Sequence, residues 1–316
     1  MPYRWKLLIV VLTVTCGPAP FSPAQGEQRA VTVQPVIAMP GCFEGVAAAE
    51  SGDIYTSDQV TCGIFHVRPD ETITLLADIY EKPNPNTDVG TVGMAVSKNG
   101  DVWVIFLTWD PATHGVWRIT PDGKAKLAVP LSPTEVIVPN GLVFDPEGNL
   151  YITESHAGSI WKASRDGSAK LWLQHEMLAP PEGHDYGANG IDYRDGALYV
   201  ANTDQGTVVR VPVNMDGSPG KPSILAKGII GADGLAFDKS GTLYIVNAYA
   251  SQLVRLTTLG KIEVVVDKGL DHPASIAFGK SPVGMVKAYI TNFGEYTTNE
   301  RPNLVRVDLP ALPSRD

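Results

Sequence analysis

The sequence predicts an all-β fold, specifically a six-bladed β-propeller closed by its own N-terminal strand. Three observations carry that reading. One hairpin phrase recurs six times, and strand-like runs follow each copy at a regular distance. The composition suits a turn-rich β protein, with 31 Gly and 25 Pro in 316 residues and only 19% charged residues. No long helical period competes with it.

The phrase is plainest in "VPNGLVFDPEGNLYITES" (138–155), where two short strands flank a Pro-Glu-Gly-Asn turn. Its six copies are "EGVAAAESGDIYTSD" (44–58), "VGMAVSKNGDVWVIF" (92–106), "NGLVFDPEGNLYITE" (140–154), "NGIDYRDGALYVAN" (189–202), "DGLAFDKSGTLYIVN" (233–247) and "ASIAFGKSPVGMVKAYITN" (274–292). Their second residues lie 48, 48, 49, 44 and 41 positions apart, the length of one four-stranded propeller blade. A third strand follows each hairpin, from "GIFHVRP" (63–69) in the first unit to "NLVRVDL" (303–309) in the sixth. The first five units continue into a fourth strand, such as "TITLLADI" (72–79) or "KIEVVVDKG" (261–269). The sixth does not, because the chain stops seven residues after Leu309. The alternating run "AVTVQPVIA" (30–38) can supply the missing outer strand and so remove an unpaired edge. Aromatic residues Tyr55, Trp103, Tyr151, Tyr199 and Tyr244 fall within second strands and read as core.

Residues 1–24 stand apart from this pattern. Arg4 and Lys6 precede an apolar run from Leu7 to Cys16, too short to span a bilayer, and small residues Ser22-Pro23-Ala24 follow. The expectation is a secretory signal peptide over 1–24, a single propeller domain over 25–316, no membrane span, and a secreted or periplasmic monomer. Cys16 is a poor lipid anchor because Thr15 precedes it. Without 1–24 the chain has 23 basic against 34 acidic residues. That balance argues against nucleic acid or anionic membrane as a partner and suits a protein that holds a cation. Cys42 and Cys62 remain, flanking one hairpin of an exported chain, so a disulfide between them is expected.

The residue that begins each inner strand points towards the central channel at a common level. Around the six blades this collar reads Glu44, Val92, Asn140, Asn189, Asp233 and Ala274. Asn and Asp can also be simple turn residues at the start of a strand. Four oxygen donors out of six, with no His or Cys, point instead to a metal site. The set suits calcium first; Mg2+, Mn2+ or Zn2+ are the other divalent candidates, although zinc more often takes imidazole or thiolate.

At "PNGLVFDPEGNLYITE", "GANGIDYRDGALYVANT" and "GADGLAFDKSGTLYIVN" the chain resembles the senescence marker protein/gluconolactonase (regucalcin-like) family of six-bladed propellers. It is more distantly similar to the paraoxonases and strictosidine synthases. The resemblance covers about residues 30–310. It implies one divalent ion held by Glu44, Asn140, Asn189 and Asp233, with Asn140 the ligand that some members turn towards substrate instead. It also implies hydrolysis of a lactone or ester, the ion polarising the carbonyl and a base collecting the proton of water. Asp233 would serve as ligand and base, as in the gluconolactonase branch. A histidine would be the base in paraoxonase-like members, and His184 in "PPEGHDYGANG" (180–190) is the preferred candidate, five residues before Asn189. His114, His156 and His272 are expected on the same face, whereas His66 and His175 read as structural. Asp58, Glu154, Asn202, Asn247 and Asn292 end second strands on that face and could orient ligands or bond loop backbone. The segments 295–303 and 80–90 read as rim or lid loops. Sugar lactones, acyl-homoserine lactones, aryl esters and organophosphates all fit a metal-plus-base pocket. Other readings remain open: a strictosidine-synthase-like condensation or cyclisation, a non-enzymatic binding propeller similar to NHL-repeat proteins, and a purely structural ion.

Overall fold

Glycine-punctuated hairpins with alternating apolar positions build four-stranded antiparallel sheets, and six such sheets appear in the structure. The computed structural model describes residues 31–39, 41–79, 90–164, 166–257, 260–294 and 303–312. The 1–24 segment and the rim segments 80–89 and 295–302 lie outside the described residues. β1 (Thr32–Ile37) comes first, followed by blade 1 with β2 (Phe43–Ala48), β3 (Ile54–Asp58), β4 (Gly63–Val67) and β5 (Ile73–Asp78). Blade 2 holds β6 (Gly90–Val96), β7 (Val102–Leu107), β8 (Gly115–Ile119) and β9 (Ala125–Pro130). Blade 3 holds β10 (Pro139–Phe144), β11 (Leu150–Glu154), β12 (Ser159–Ala163) and β13 (Ala169–Gln174). Blade 4 holds β14 (Ala188–Arg194), β15 (Ala197–Asn202), β16 (Thr207–Pro212) and β17 (Ser223–Lys227). Blade 5 holds β18 (Ala232–Phe237), β19 (Leu243–Asn247), β20 (Gln252–Leu256) and β21 (Ile262–Val266). Blade 6 holds β22 (Pro273–Gly279), β23 (Met285–Asn292) and β24 (Leu304–Pro310), and β1 completes it by pairing with β24. No helix among the described residues is long and apolar enough to cross a membrane.

The first strand of each blade is innermost, and these strands meet in the order β2, β6, β10, β14, β18, β22 and back to β2. One apolar cluster fills each of the six blade-to-blade interfaces. Second-strand aromatics bridge several of them. Trp103 meets Phe144 at 5.5 Å between ring centroids, Tyr199 meets Phe237 at 4.7 Å and Tyr244 meets Phe278 at 5.3 Å, all edge to face. Tyr151 and Tyr244 are fully buried, as their strand positions predict. The apolar face of a blade is therefore covered only by the next blade, which is why closure of the circle matters.

The cysteines depart from expectation. Cys42 and Cys62 are both buried free thiols, not a disulfide. The Asp58 carboxylate ties down the backbone at Cys42 by accepting hydrogen bonds from the Cys42, Val60 and Thr61 amides. The Cys62 thiol turns to the Gln59 carbonyl at 3.6 Å and packs in the cluster between blades 1 and 2. Burial first, then the charges of Asp58 and Asp78, pushes this thiol up to about 12.

Candidate functional site

Each inner strand breaks register with its neighbour at the same place. The irregularities fall between Phe43 and Val46, Thr91 and Met94, Pro139 and Leu142, Ala188 and Ile191, Ala232 and Leu235, and Pro273 and Ile276. Each interval contains a collar residue and the one after it. An unpaired bulge re-aims a side chain, here away from the sheet and into the channel. The following residue is Gly45, Gly93, Gly141, Gly190 or Gly234 in five blades. None needs glycine for its φ angle; each needs it for space. A Cβ would lie 2.3 Å from the Val92 carbonyl oxygen at Gly45, 2.1 Å from that of Asn140 at Gly93 and 2.5 Å from that of Asp233 at Gly190. Every glycine thus admits the carbonyl of the next blade's collar residue and draws the blades inward. Blade 6 has Ser275 instead, and Thr291 joins it to blade 1 by accepting from the Ser275 amide at 2.9 Å and donating to the Glu44 carbonyl at 2.7 Å.

Glu44 and Asp233 interact across the channel, with Asn189 beside Asp233. Desolvation by the surrounding protein raises the Glu44 carboxyl to about 7. Asp233 rises well above the ordinary range, from desolvation first and repulsion by Glu44 second, while the Asn189 amide pulls the other way. Asn189 donates from Nδ2 to Thr203 Oγ1 at 3.0 Å, and Thr203 donates in turn to the Ala232 carbonyl at 2.8 Å. That orientation leaves the Asn189 Oδ1 acceptor available. The side chains of Glu44 and Asn140 make no hydrogen bond to any described residue. Two converging carboxylates that oppose each other's ionisation, plus two carboxamides, form an all-oxygen set lacking positive charge. It fits a hard divalent cation. Among the described residues no group of three or more His, Cys, Asp or Glu is gathered closely enough to hold a metal; the set here depends on amides as well.

The second-strand ends behave differently. Asp58 takes three amides and the Thr61 hydroxyl. Buried Glu154 accepts from Val138 at 3.1 Å, His156 at 3.1 Å and Ala157 at 2.7 Å. Asn202 donates to the Met177 and Ala179 carbonyls and accepts from Gln205, while Asn247 and Asn292 accept from Ala250 and Asp271. All of them bond loop backbone. Blade 2 uses a histidine for the same work: His114, fully buried, accepts from the Thr108 amide at Nδ1 and donates from Nε2 to the Val136 carbonyl. It is therefore a structural residue, not a face histidine available to substrate. His66 bonds Asp53 at 2.8 Å and stacks on Tyr55, and His175 accepts from the Met177 amide, both structural as expected. His156 is exposed, and His272 lies 3.3 Å from Asp271. His184 is exposed, with Nδ1 3.8 Å from the Asp204 carboxylate.

Asp204 and the tyrosines near it escaped the sequence reading. Asp204 accepts from the Tyr186 amide at 2.9 Å and the Tyr249 hydroxyl at 3.0 Å. The loops that carry these residues join or enter strands at the collar end of blades 4 and 5, because Ala188 pairs with Asn202 and Ala232 with Asn247. Loop polarity gave no signal for them; only the strand registers bring them together.

Residues 21–213 match the family described as the SMP-30/Gluconolactonase/LRE-like region, and the chain belongs to that family. No curated protein matches the sequence. Among solved structures, the chain is similar to a gluconolactonase from Xanthomonas campestris, with 17% identity, 93% of this chain and 96% of that chain covered and a TM-score of 0.67. It is also similar to the calcium-binding protein regucalcin from Agrobacterium tumefaciens strain C58, at 18% identity, 88% and 93% coverage and a TM-score of 0.65. Virginiamycin B lyase from Staphylococcus aureus shares 19% identity over 90% of each chain, with a TM-score of 0.55. Identities this low establish a common propeller and leave the reaction to the site.

Proposed function

We propose that this member of the SMP-30/gluconolactonase/LRE-like family is a divalent-metal-dependent hydrolase of lactones or related esters, exported by its first 24 residues. One observation supports the reading above others: six equivalent bulges aim their residues into one channel, and only the oxygen donors among them, Glu44, Asn140, Asn189 and Asp233, could hold an ion. When bound, calcium or a similar cation would supply Lewis acidity to a carbonyl and make water easier to deprotonate. Glu44 and Asp233 would balance its charge, and Asn189, held by Thr203, would present its carbonyl oxygen without reorganising. Asp233, placed at the ion, would collect a proton from attacking water and return it to the leaving alkoxide. His184, beside Asp204, is the alternative base. Val92 and Ala274 leave two apolar sectors of the collar where the carbon skeleton of a substrate can lie.

The test is calcium titration by calorimetry together with hydrolysis of a lactone and ester panel, on the chain from residue 25. Wild type should bind one ion and open a lactone, and Glu44→Gln and Asp233→Asn should lose both. An ion bound without hydrolysis would make the metal structural. Absence of any bound ion would leave the collar as a strand-capping device and end the hydrolase reading.

A further inference from the structure

We infer that β5, the outer strand of blade 1, pairs antiparallel with the β5 of a second copy of this chain and so forms a two-fold dimer. The outermost strand of every blade has a sheet neighbour on one side and no described strand on the other. Six rows of backbone donors and acceptors therefore face outward around the disc, and a row without protection is a template for another strand. The six strands are equivalent by position, so they can be compared directly. All six carry a register irregularity against their inner neighbour, so that feature does not separate them.

Side chains do separate them. β1 contains Pro35, β9 contains Lys126 and Pro130, and β13 contains Lys170. β17 is bracketed by Pro222 and Lys227, and β21 contains Glu263, which accepts from Arg255 Nε at 3.0 Å. Proline removes a donor from the edge, and a charge there resists the desolvation that pairing imposes. β5 reads Ile73-Thr74-Leu75-Leu76-Ala77-Asp78, with neither proline nor charge before its last residue. Thr72, Ile73, Thr74 and Leu75 are exposed in succession, the longest uncharged exposed run on any of these edges. It is also the only outer strand with two exposed large aliphatic side chains, Ile73 at 40% and Leu75 at 59%; no other has more than one.

A second copy is the occupant that this edge fits. Two identical strands in antiparallel register complement each other about a two-fold axis, and one open edge per chain closes the assembly at two. Full overlap brings Asp78 of each copy to the 68–72 turn of the other. Positive charge stands ready there, because Arg68 is exposed and Arg306 of blade 6 already holds Glu71. β5 runs towards the collar end, since Asp78 pairs with Gly63. Antiparallel pairing therefore inverts one disc against the other, and the two channels open on opposite sides with neither mouth covered. This departs from the monomer that the sequence alone suggests, because the comparison of edges needs the sheet order. One six-residue strand per copy makes a small interface, so a dissociation constant of about 10 µM is expected.

The experiment is sedimentation velocity on the chain from residue 25, at concentrations from about 1 to 300 µM. Wild type should pass from monomer to dimer across that range. Leu75→Lys, which installs the missing charge at an exposed position, should weaken dimerisation at least tenfold with an unchanged melting temperature. Leu171→Lys, the matching change on the edge of blade 3, should leave it within twofold. Hydrogen exchange gives a reading without any substitution: amides of β5 should slow as concentration rises, while those of β13 should not. A chain that stays monomeric throughout overturns the inference. So does a dimer that Leu75→Lys leaves intact, one that Leu171→Lys weakens equally, or one whose β5 amides exchange at a rate independent of concentration.

Discussion

Two sets of acids and amides share one face of the disc and one residue chemistry, yet their surroundings oppose each other. At the second-strand ends, Asp58, Glu154, Asn202, Asn247 and Asn292 have backbone partners from their own blade's loops. At the inner-strand starts, Glu44 and Asn140 have side chains without a described partner, and Asp233 faces another carboxylate. The first set replaces water around loop amides and so stabilises the face. The second set leaves acceptors open in a desolvated channel, an arrangement that destabilises the fold unless something positive enters. Partner status, more than residue type, separates the structural polar group from the functional one.

The contrast can be broken in several ways. Glu44→Gln and Asp233→Asn should reduce lactone hydrolysis by about 100-fold or more and abolish the heat of calcium binding. Their thermal midpoints without added cation should stay level or rise, since one of two opposed carboxylates is gone. A fall in both variants would place the collar with the structural set. Glu154→Ala is expected to do the reverse. It orphans three amides at a buried corner and should lower stability by about 3 kcal/mol, measured by urea unfolding, while activity per folded molecule persists.

Gly93→Ala probes the collar through a residue that offers no ligand. Its Cβ would meet the Asn140 carbonyl oxygen at 2.1 Å and the Gly141 Cα at 2.9 Å. The blades must part there, costing about 1–3 kcal/mol by overpacking and weakening ion binding, both readable in one calcium titration followed by a melt. The acid–base behaviour sharpens the same point. Glu44 has a folded value near 7, above its ordinary 4.5, so the folded state holds a proton that the unfolded state has already released. Stability in chelator should therefore fall as pH rises from about 4.5 to about 7. Glu44→Gln should flatten that slope in pH-dependent melts, and saturating calcium should offset it. The smallest effect concerns the corner around Asp58. Reductant should leave the melting temperature unchanged, and a thiol reagent should find Cys42 and Cys62 only after unfolding.

Much of the architecture was legible because each blade repeats its own local grammar. The hairpin phrase, its spacing and the missing sixth outer strand placed all six blades and the closure by β1, and the position before each Gly marked the collar. Local pattern also identified His66 and His175 as structural and the second-strand aromatics as core. It failed where a residue's meaning depends on a neighbouring blade or a distant loop. His114 read as a face histidine because nothing nearby in sequence shows that Val136 accepts its proton. Cys42 and Cys62 read as a pair because their separation suited one, whereas in the fold both are free thiols and the Cys62 thiol turns to the Gln59 carbonyl between blades 1 and 2.

By itself, then, the sequence determined that this chain forms a closed six-bladed propeller with oxygen donors at four of six collar positions. Periodicity and turn chemistry act over a few residues and are written directly in the chain. The tertiary structure alone decided which of those polar groups keep free acceptors, why glycine follows the collar, and that the Tyr186 backbone and the Tyr249 hydroxyl meet at Asp204. Hydrogen-bond satisfaction and close approach are set by atoms brought together across loops and blade boundaries, and those neighbours exist only once the circle has closed.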